Sequence, residues 1–491
     1  MTAVATAPAA AIRRPRSSRA AWLRERGMGA SILVSALAAA FGVILVEVTA
    51  YIGAVLQGDP FIGDSETLAI VVIILSVLLT AVAMYVAAIV TANTFSTIIA
   101  GRTRRIALLR LIGASARSQR AEATGQGFIV GVIGAGIGLA VGVLLSWGGV
   151  LLGDRLVTYP PESFTLLQPG ILLPAVGVAL TTWLAAHVGS RRVLTVTPLQ
   201  ALGGAVERTR EEVTRRRGSH VTALVLFVVG VALLAAGVLL GLLTPLGVVV
   251  AFFGGLFSFT GLITASTLIM PPLLRLVGRM FGRGATARMA AENALRYSER
   301  SSRMAIGVVM GVALVTMFAV ALESSKALML RQTLDDDSAA SDMFFAPMDA
   351  FAGVMMVLVA VSGVIAAVGL VNLLTIGVVQ RRRELGLLRA IGLTGPQVRR
   401  MVMLEAVHVT VTATLTGLLL GIAYGWVAAQ SLLGSVPVVP DFSPAGFVYP
   451  VVPWGTVGVI VAATGLLTVI ASVAPTRLAT RVAPVEALAA D

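Results

Sequence analysis

The sequence predicts an all-α membrane protein of about ten transmembrane helices in a 4 + 2 + 4 layout, two parallel four-helix repeats forming a pseudo-dimer. Three observations predict it: apolar runs of 20 or more residues, a strict alternation of basic and non-basic connections, and an internal duplication. The 491 residues are 57% hydrophobic and only 12% charged, with a mean hydropathy of +0.93. A soluble domain carries about 25% charged residues, so a soluble enzyme is excluded. With no cysteine in the chain, disulfides, thiolate metal sites and cysteine nucleophiles are excluded as well.

Taken in order, the spans run over 29–52, 68–100, 125–152, 170–190, 221–243, 246–270, 304–323, 351–379, 405–430 and 453–474. Each has the ~20 residues needed to cross ~30 Å of hydrocarbon, and the second is long enough to project beyond it. Residues 1–28 are Ala-, Pro- and Arg-rich and read as a disordered basic cytoplasmic tail. Of the 37 basic residues, 34 fall in that tail, in 102–120, 191–217, 275–303 and 381–400, and after the last span. The opposite side holds Arg155, Lys326 and Arg331 beside acids such as Asp59, Asp64, Asp154 and the run Asp335, Asp336, Asp337. Basic loops stay cytoplasmic, so both termini are placed inside. The net charge of +13 is thus a topology signal that also favours anionic lipid headgroups; without interleaved aromatics it does not indicate nucleic acid. Thirty-six of the 37 bases are Arg, which suggests a G+C-rich bacterial genome and places the chain in a bacterial plasma membrane.

Residues 102–147 and 381–426 align without gaps at an offset of 279, with 14 of 46 positions identical. Leu108, Leu109, Arg110 and Gly113 match Leu387, Leu388, Arg389 and Gly392, and Asn93 matches Asn372. Farther on, Gly138, Gly142 and Trp147 match Gly417, Gly421 and Trp426, while Glu47 of span one corresponds to Glu323 of span seven. The chain therefore divides into the tail, a first four-helix unit 29–206, a linker 207–303 with a transmembrane hairpin 221–270 turning at Thr244-Pro245, and a second unit 304–491. Equivalent helices lie six spans apart, an even number, so both copies cross in the same sense, unlike the inverted repeats of many secondary transporters.

After span eight, Leu385, Leu387, Leu388 and Ile391 recur at helical spacing behind Arg381, Arg382, Arg383 and Glu384, which predicts a short amphipathic helix. Gly392 can end it in a left-handed cap, and Thr394 with Gln397 can open the next helix with a capping box. Helix, sharp turn and helix form an elbow beneath the membrane, over 380–403, and 102–120 repeats it with Gly113 and Ser115. Gly134, Gly138 and Gly142 in span three, and Gly417, Gly421 and Gly425 in span nine, put a smooth ridge on one helix face, where backbones approach closely.

The duplicated Leu-Leu-Arg-x-Ile-Gly elbow, preceded by Asn372 and followed by a Gly-rich helix, resembles the FtsX-like, MacB-type permeases of ABC transporters. The ten-span layout is similar to the single-chain permeases of the bacitracin-resistance type. The resemblance implies that the elbows are coupling helices seated in an ATPase, with Leu108, Leu109, Arg110 and Gly113 in one, and Glu384, Leu387, Leu388, Arg389 and Gly392 in the other. Arg105 stands where the second copy has Glu384. Such permeases commonly carry a large extracytoplasmic domain; here the outside segments 53–67, 153–169, 324–350 and 431–452 are short.

No phosphate-binding G-x-x-x-x-G-K-[ST] loop occurs. The expectation is therefore a non-enzymatic membrane subunit without a cofactor of its own, with ATP and Mg bound by a separate ABC ATPase in two copies. The expected action is mechanotransmission: elbow motion travels up the long helices and extracts or exports an amphiphile such as a lipid, lipopeptide or antibiotic. The alternatives are an FtsX-type transmitter that activates a small extracytoplasmic partner without moving a substrate, and an ATP-independent secondary transporter. Glu47 and Glu323 are intramembrane ionisable groups, read either as contacts for a cationic substrate group lining a vestibule or as side chains reaching the outer headgroups. Asn93 and Asn372 are read as interhelical hydrogen-bonding residues. His187, His220 and His408 show no metal-ligand spacing, and His408 is read as a packed, hydrogen-bonded residue.

Overall fold

The computed structural model describes residues 28–58, scattered positions between 74 and 92, 115–156, 161, 164–190, 217–280, 284–296, 298–330, 382–438 and 443–481. Among these residues seven helices are long and apolar enough to cross a membrane, which makes the chain a multi-pass membrane protein. They lie in α1 (Met28–Gln57), α2 (Ala116–Leu156), α3 (Leu172–Gly189), α4 (Arg217–Gly241), α5 (Gly247–Thr264), α8 (Ser298–Leu330) and α10 (Gly395–Leu433). Shorter helices are α6 (Ser266–Gly278), α7 (Ala285–Arg296) and α9 (Arg382–Ala390), and α11 (Trp454–Arg481) follows α10.

The seven correspond to predicted spans one, three, four, five, six, seven and nine. The tenth is α11, whose apolar stretch Trp454–Ile470 is short for a crossing. The eighth span lies outside the described residues, as does most of the second, so seven crossings rather than ten are seen. Among the described helices, those of spans three and nine are the longest, at 41 and 39 residues, roughly 60 Å at ~1.5 Å per residue. Their polar first turns are helical because the caps sit well before the apolar run. Ser115 and Thr394 start each helix, and no breaker intervenes.

Each repeat is built on a pair of parallel helices packed through glycine. In the first, Gly134, Gly138 and Gly142 of α2 meet Ser35, Ala39 and Val43 of α1 in rising order. In the second, Gly417, Gly421 and Gly425 of α10 meet Val312, Thr316 and Val320 of α8, again in rising order. A side chain at these positions would collide: a methyl on Gly421 falls 2.5 Å from Thr316 Cβ and 2.7 Å from the Ala313 carbonyl oxygen. Close backbone approach of this kind replaces the hydrophobic drive that lipid removes. α3 closes the first unit antiparallel to both partners. Pro174 meets Gly42, Thr182 meets Gly131, and Ser35 and Thr182 share a hydrogen bond of 3.5 Å.

α4 and α5 form the expected hairpin, turning at Thr244-Pro245, where the Thr244 hydroxyl accepts the Leu246 N–H at 3.4 Å. Gly230, Gly237, Gly254 and Gly261 let the two helices touch backbone to backbone. The hairpin bridges the repeats. From the first, Tyr85 shares a 2.7 Å hydrogen bond with Thr260 and meets the Phe259 ring edge-on. From the second, Tyr424 shares a 2.9 Å bond with Ser258 and meets the same ring. Past Ala265 the chain continues as α6, with Pro271 and Pro272 inside it, and then α7. One small departure from an all-α chain follows α10: β1 (Pro437–Val438) pairs antiparallel with β2 (Ser443–Pro444). Gln430 clamps this loop, donating to the Gly446 carbonyl at 2.6 Å and accepting the Val448 N–H at 2.7 Å.

Candidate functional site

The elbow of the second repeat is fully described from Arg382 onward. α9 ends in a Schellman arrangement: the Leu393 N–H donates to the Leu388 carbonyl at 3.0 Å and the Gly392 N–H to the Arg389 carbonyl at 3.2 Å. Gly392 has φ +113°, a left-handed conformation that non-glycine residues resist. A Cβ there would meet nothing within 4 Å, so the requirement is conformational rather than one of space. Two residues on, Thr394 caps α10. Its hydroxyl accepts the Gln397 N–H at 3.4 Å, and the Gln397 side chain accepts the Thr394 N–H at 2.9 Å, the reciprocal box the sequence predicts. Every exposed end of the turn is thus satisfied locally, which fixes the angle between the helices.

Packing fixes it further. Leu385, Val398, Met401, Val402 and Ala290 are buried together, with Met289, Leu388, Leu393 and Leu404 packed against them. Each such large side chain contributes roughly 1.5–3 kcal/mol when fully buried. Leu388 therefore belongs to the elbow's own core, where it supports the Schellman contact with Leu393. The face turned outward carries Glu384, Leu387 and Ile391, the last two 53% and 69% exposed. Arg389 is half-buried. The sequence reading did not separate this face from its floor. Ile391 was one member of a single apolar stripe there, although its i, i+4 spacing to Leu387 separates that pair from Leu385 and Leu388. The floor supplied by α7 carried no signal, because Ala290 is too small to stand out.

In the first repeat Leu108, Leu109, Arg110 and Gly113 lie outside the described residues, as do Asn93 and Asn372. The description resumes at Ser115, whose hydroxyl accepts the Ser118 N–H at 3.1 Å to start α2. Nearby, Arg120 donates to His187 Nε2 at 2.7 Å and ties the start of α2 to the end of α3. His408 Nε2 donates to the Leu274 carbonyl at 2.7 Å, so it joins α10 to the proline-containing α6, as a packed residue should. Gly138, Gly142, Gly417 and Gly421 all lie in the parallel helix contacts described above. Glu47 and Glu323 differ: Glu47 is buried at the α1–α2 interface, 1% exposed, whereas Glu323 is half-buried on α8.

The FtsX-like permease C-terminal family matches residues 77–198 and again 356–484, together just over half of the chain. The two matches start at the same offset of 279 residues that relates the elbows. Among curated proteins, the ABC transporter permease YtrF of Bacillus subtilis (strain 168) is 26% identical over 120 residues, 24% of this chain and 28% of that protein. The Macrolide export ATP-binding/permease protein MacB of Bordetella avium (strain 197N) is 29% identical over 131 residues, 27% of this chain and 18% of that protein. Each match thus spans less than a third of the relative's length. A doubly matched domain, a capped elbow leading into α10 and a helix pair packed on glycine in each repeat agree with one another: the chain belongs to the FtsX-like permease family of ABC transporter permeases.

Proposed function

We propose that this chain is the membrane subunit of an ABC transporter that couples ATP hydrolysis in a separate ATPase subunit to the extraction or export of an amphiphile. The observation that supports it best is the elbow: a turn locked by the Schellman bonds, the capping box and its own small core, presenting Leu387 and Ile391 to the outside. Exposed apolar side chains on a rigid helix suit insertion into a groove of a partner. The duplicated elbow at 102–120 supplies a second attachment, so two ATPase copies are expected, one under each repeat. ATP and Mg reside in those partners. With both termini cytoplasmic, force entering at the elbow of 382–394 is passed directly into α10, which starts at its turn, and the repeated sequence at 102–120 would act likewise on α2. At the far end the motion acts on a substrate held at the outer leaflet.

The test is co-purification with a candidate ABC ATPase subunit from the same genome and measurement of nucleotide hydrolysis in nanodiscs. Leu387→Arg combined with Ile391→Arg is expected to lower stimulation of hydrolysis at least tenfold while leaving the melting temperature of the permease unchanged. Unaltered stimulation in that variant counts against the elbow as the coupling surface. Stimulation that never occurs, even with the wild-type chain, counts against the ABC reading as a whole.

A further inference from the structure

At the end of the first repeat remote from the elbow, the α1–α2 interface contains polar groups that packing does not account for. One stripe of α1 runs through Val43, Glu47 and Tyr51. A Cβ added at Gly142 of α2 would fall 2.8 Å from Val43, and one at Gly153 would fall 3.0 Å from the Tyr51 ring. Glu47 lies between these contacts and therefore faces α2. One turn beyond the Val43–Gly142 contact, the parallel register brings Glu47 level with Ser146. Glu47 is 1% and Ser146 3% exposed, and neither the two carboxyl oxygens nor the hydroxyl has a hydrogen-bond partner. Buried polar groups are paired as a rule; two unpaired ones at one level of one interface mark the place of a third group.

The layer outside them is closed by an aromatic. The Tyr51 hydroxyl donates to Asp154 Oδ1 at 2.7 Å, and the Phe164 ring stands edge-on to Tyr51 with centroids 5.4 Å apart. Tyr51 follows Glu47 by one turn on the same face and so covers it. The repeat does not need this set in order to fold. At the corresponding offsets the second copy keeps the acid as Glu323 but has Ala327, Gly425 and Leu433 in place of Tyr51, Ser146 and Asp154.

We propose that Glu47, Ser146, Tyr51 and Asp154 form a binding site for an organic cation, the ammonium headgroup of an amphiphile, with Tyr51 as its lid. The proposal names the substrate class of the export reading above and rests on it. Glu47 supplies the opposite charge, Ser146 accepts an ammonium N–H, and the Tyr51 and Phe164 rings offer faces that attract a cation. Exposed Asp154 draws the cation to the mouth and takes the Tyr51 hydroxyl away from Glu47 or releases it. Arg155, next to Asp154 but about 100° round the helix, is also exposed. The acyl chain would lie along Leu144, Leu151 and Leu152 of α2, all half-exposed or more.

The experiment measures binding of radiolabelled dodecylamine, below its micellar concentration, to the full-length chain in nanodiscs of phosphatidylglycerol. Saturable binding is expected, weakened tenfold or more by Glu47→Gln and several-fold by Asp154→Asn, unchanged by Glu323→Gln, and not competed by dodecyl sulfate. Glu47→Gln removes an ionisable group from an apolar contact, so its melting temperature is expected to match or exceed that of the wild type, and surface-exposed Asp154→Asn gives an independent reading. Equal affinity in wild type and Glu47→Gln, an equal loss in Glu323→Gln, or competition by dodecyl sulfate would overturn the site. Adding phosphatidylethanolamine tells a membrane lipid from an exogenous amine: competition assigns the site to lipid and its absence to a foreign amine, and both support the site. No nucleotide or ATPase enters this assay, so its failure leaves the coupling result standing, and a coupling failure leaves the binding result standing.

Discussion

At Gly392 the backbone conformation, not the available space, decides which residue is allowed. Its φ of +113° costs an L residue roughly 1–2 kcal/mol, and the open surroundings offer no contact to offset that. Gly392→Ala is therefore expected to destabilise the elbow by about 1–2 kcal/mol, seen as a lower melting temperature and weaker ATPase stimulation. Gly284→Ala, also open to solvent but without positive φ, should change neither. At this scale the chain was legible where a residue type has one physical reason to be present. The cap glycine, the Thr394–Gln397 box and the Thr244-Pro245 turn were all readable because each rule is local. The direction of Leu388 was not readable, because an isolated amphipathic helix does not reveal which of two adjacent apolar stripes meets the rest of the protein. Tyr51, Ser146 and Asp154 were equally hidden, since they come from distant segments and meet only through the register of α1 on α2.

Among elements, the parallel pairs α1–α2 and α8–α10 govern the geometry. A methyl at Gly425 would fall 2.6 Å from the Met317 carbonyl oxygen, and one at Gly421 just as close to Thr316, whereas one at Gly136 of α2 would meet nothing within 4 Å. Gly421→Ala should therefore push α10 off α8 and lower the melting temperature by several degrees, while Gly136→Ala should leave it unchanged or raise it slightly through better helix propensity. A drop of equal size in both would show that the ridge is not the contact surface. The every-fourth-residue glycines announced a close approach, but not its partner. That partner was hard to name because helices that neighbour in sequence usually pack antiparallel, and here the contact skips one span. The full lengths of α2 and α10 follow from the caps read at Ser115 and Thr394, which lie ahead of the apolar spans 125–152 and 405–430.

For the whole molecule, the hairpin lies in a stretch the family match leaves unassigned, between residues 198 and 356, and it contacts both repeats. Phe259 contacts Tyr85 from one side and Tyr424 from the other, with centroid separations of 6.5 and 6.3 Å. Aromatic pairs of this geometry contribute about 0.5–1.5 kcal/mol each. Phe259→Ala should cost about 1–3 kcal/mol and reduce cooperation between the two ATPase sites, measured as a lower Hill coefficient for ATP. Phe257→Ala, on the exposed side of α5 and without an aromatic partner among the described residues, should do neither. The duplication was legible from the offset alone, and the two family matches start at the same separation of 279 residues. The bridging aromatic was not, since Phe259 sits in an apolar run where nothing distinguishes it from its neighbours.

The parallel contact between α1 and α2 also bears on how the protein is made. The two helices are separated by ~60 residues that include the predicted second span, so α1 reaches the bilayer long before the surface it fits has been synthesised. Its small-residue face, Ser35, Ala39 and Val43, must wait beside the insertion machinery with an acid one turn away at Glu47. Chains released between the two segments would present that face to lipid and to quality-control proteases, which makes the emergence of α2 from the ribosome the moment at which the first half becomes safe.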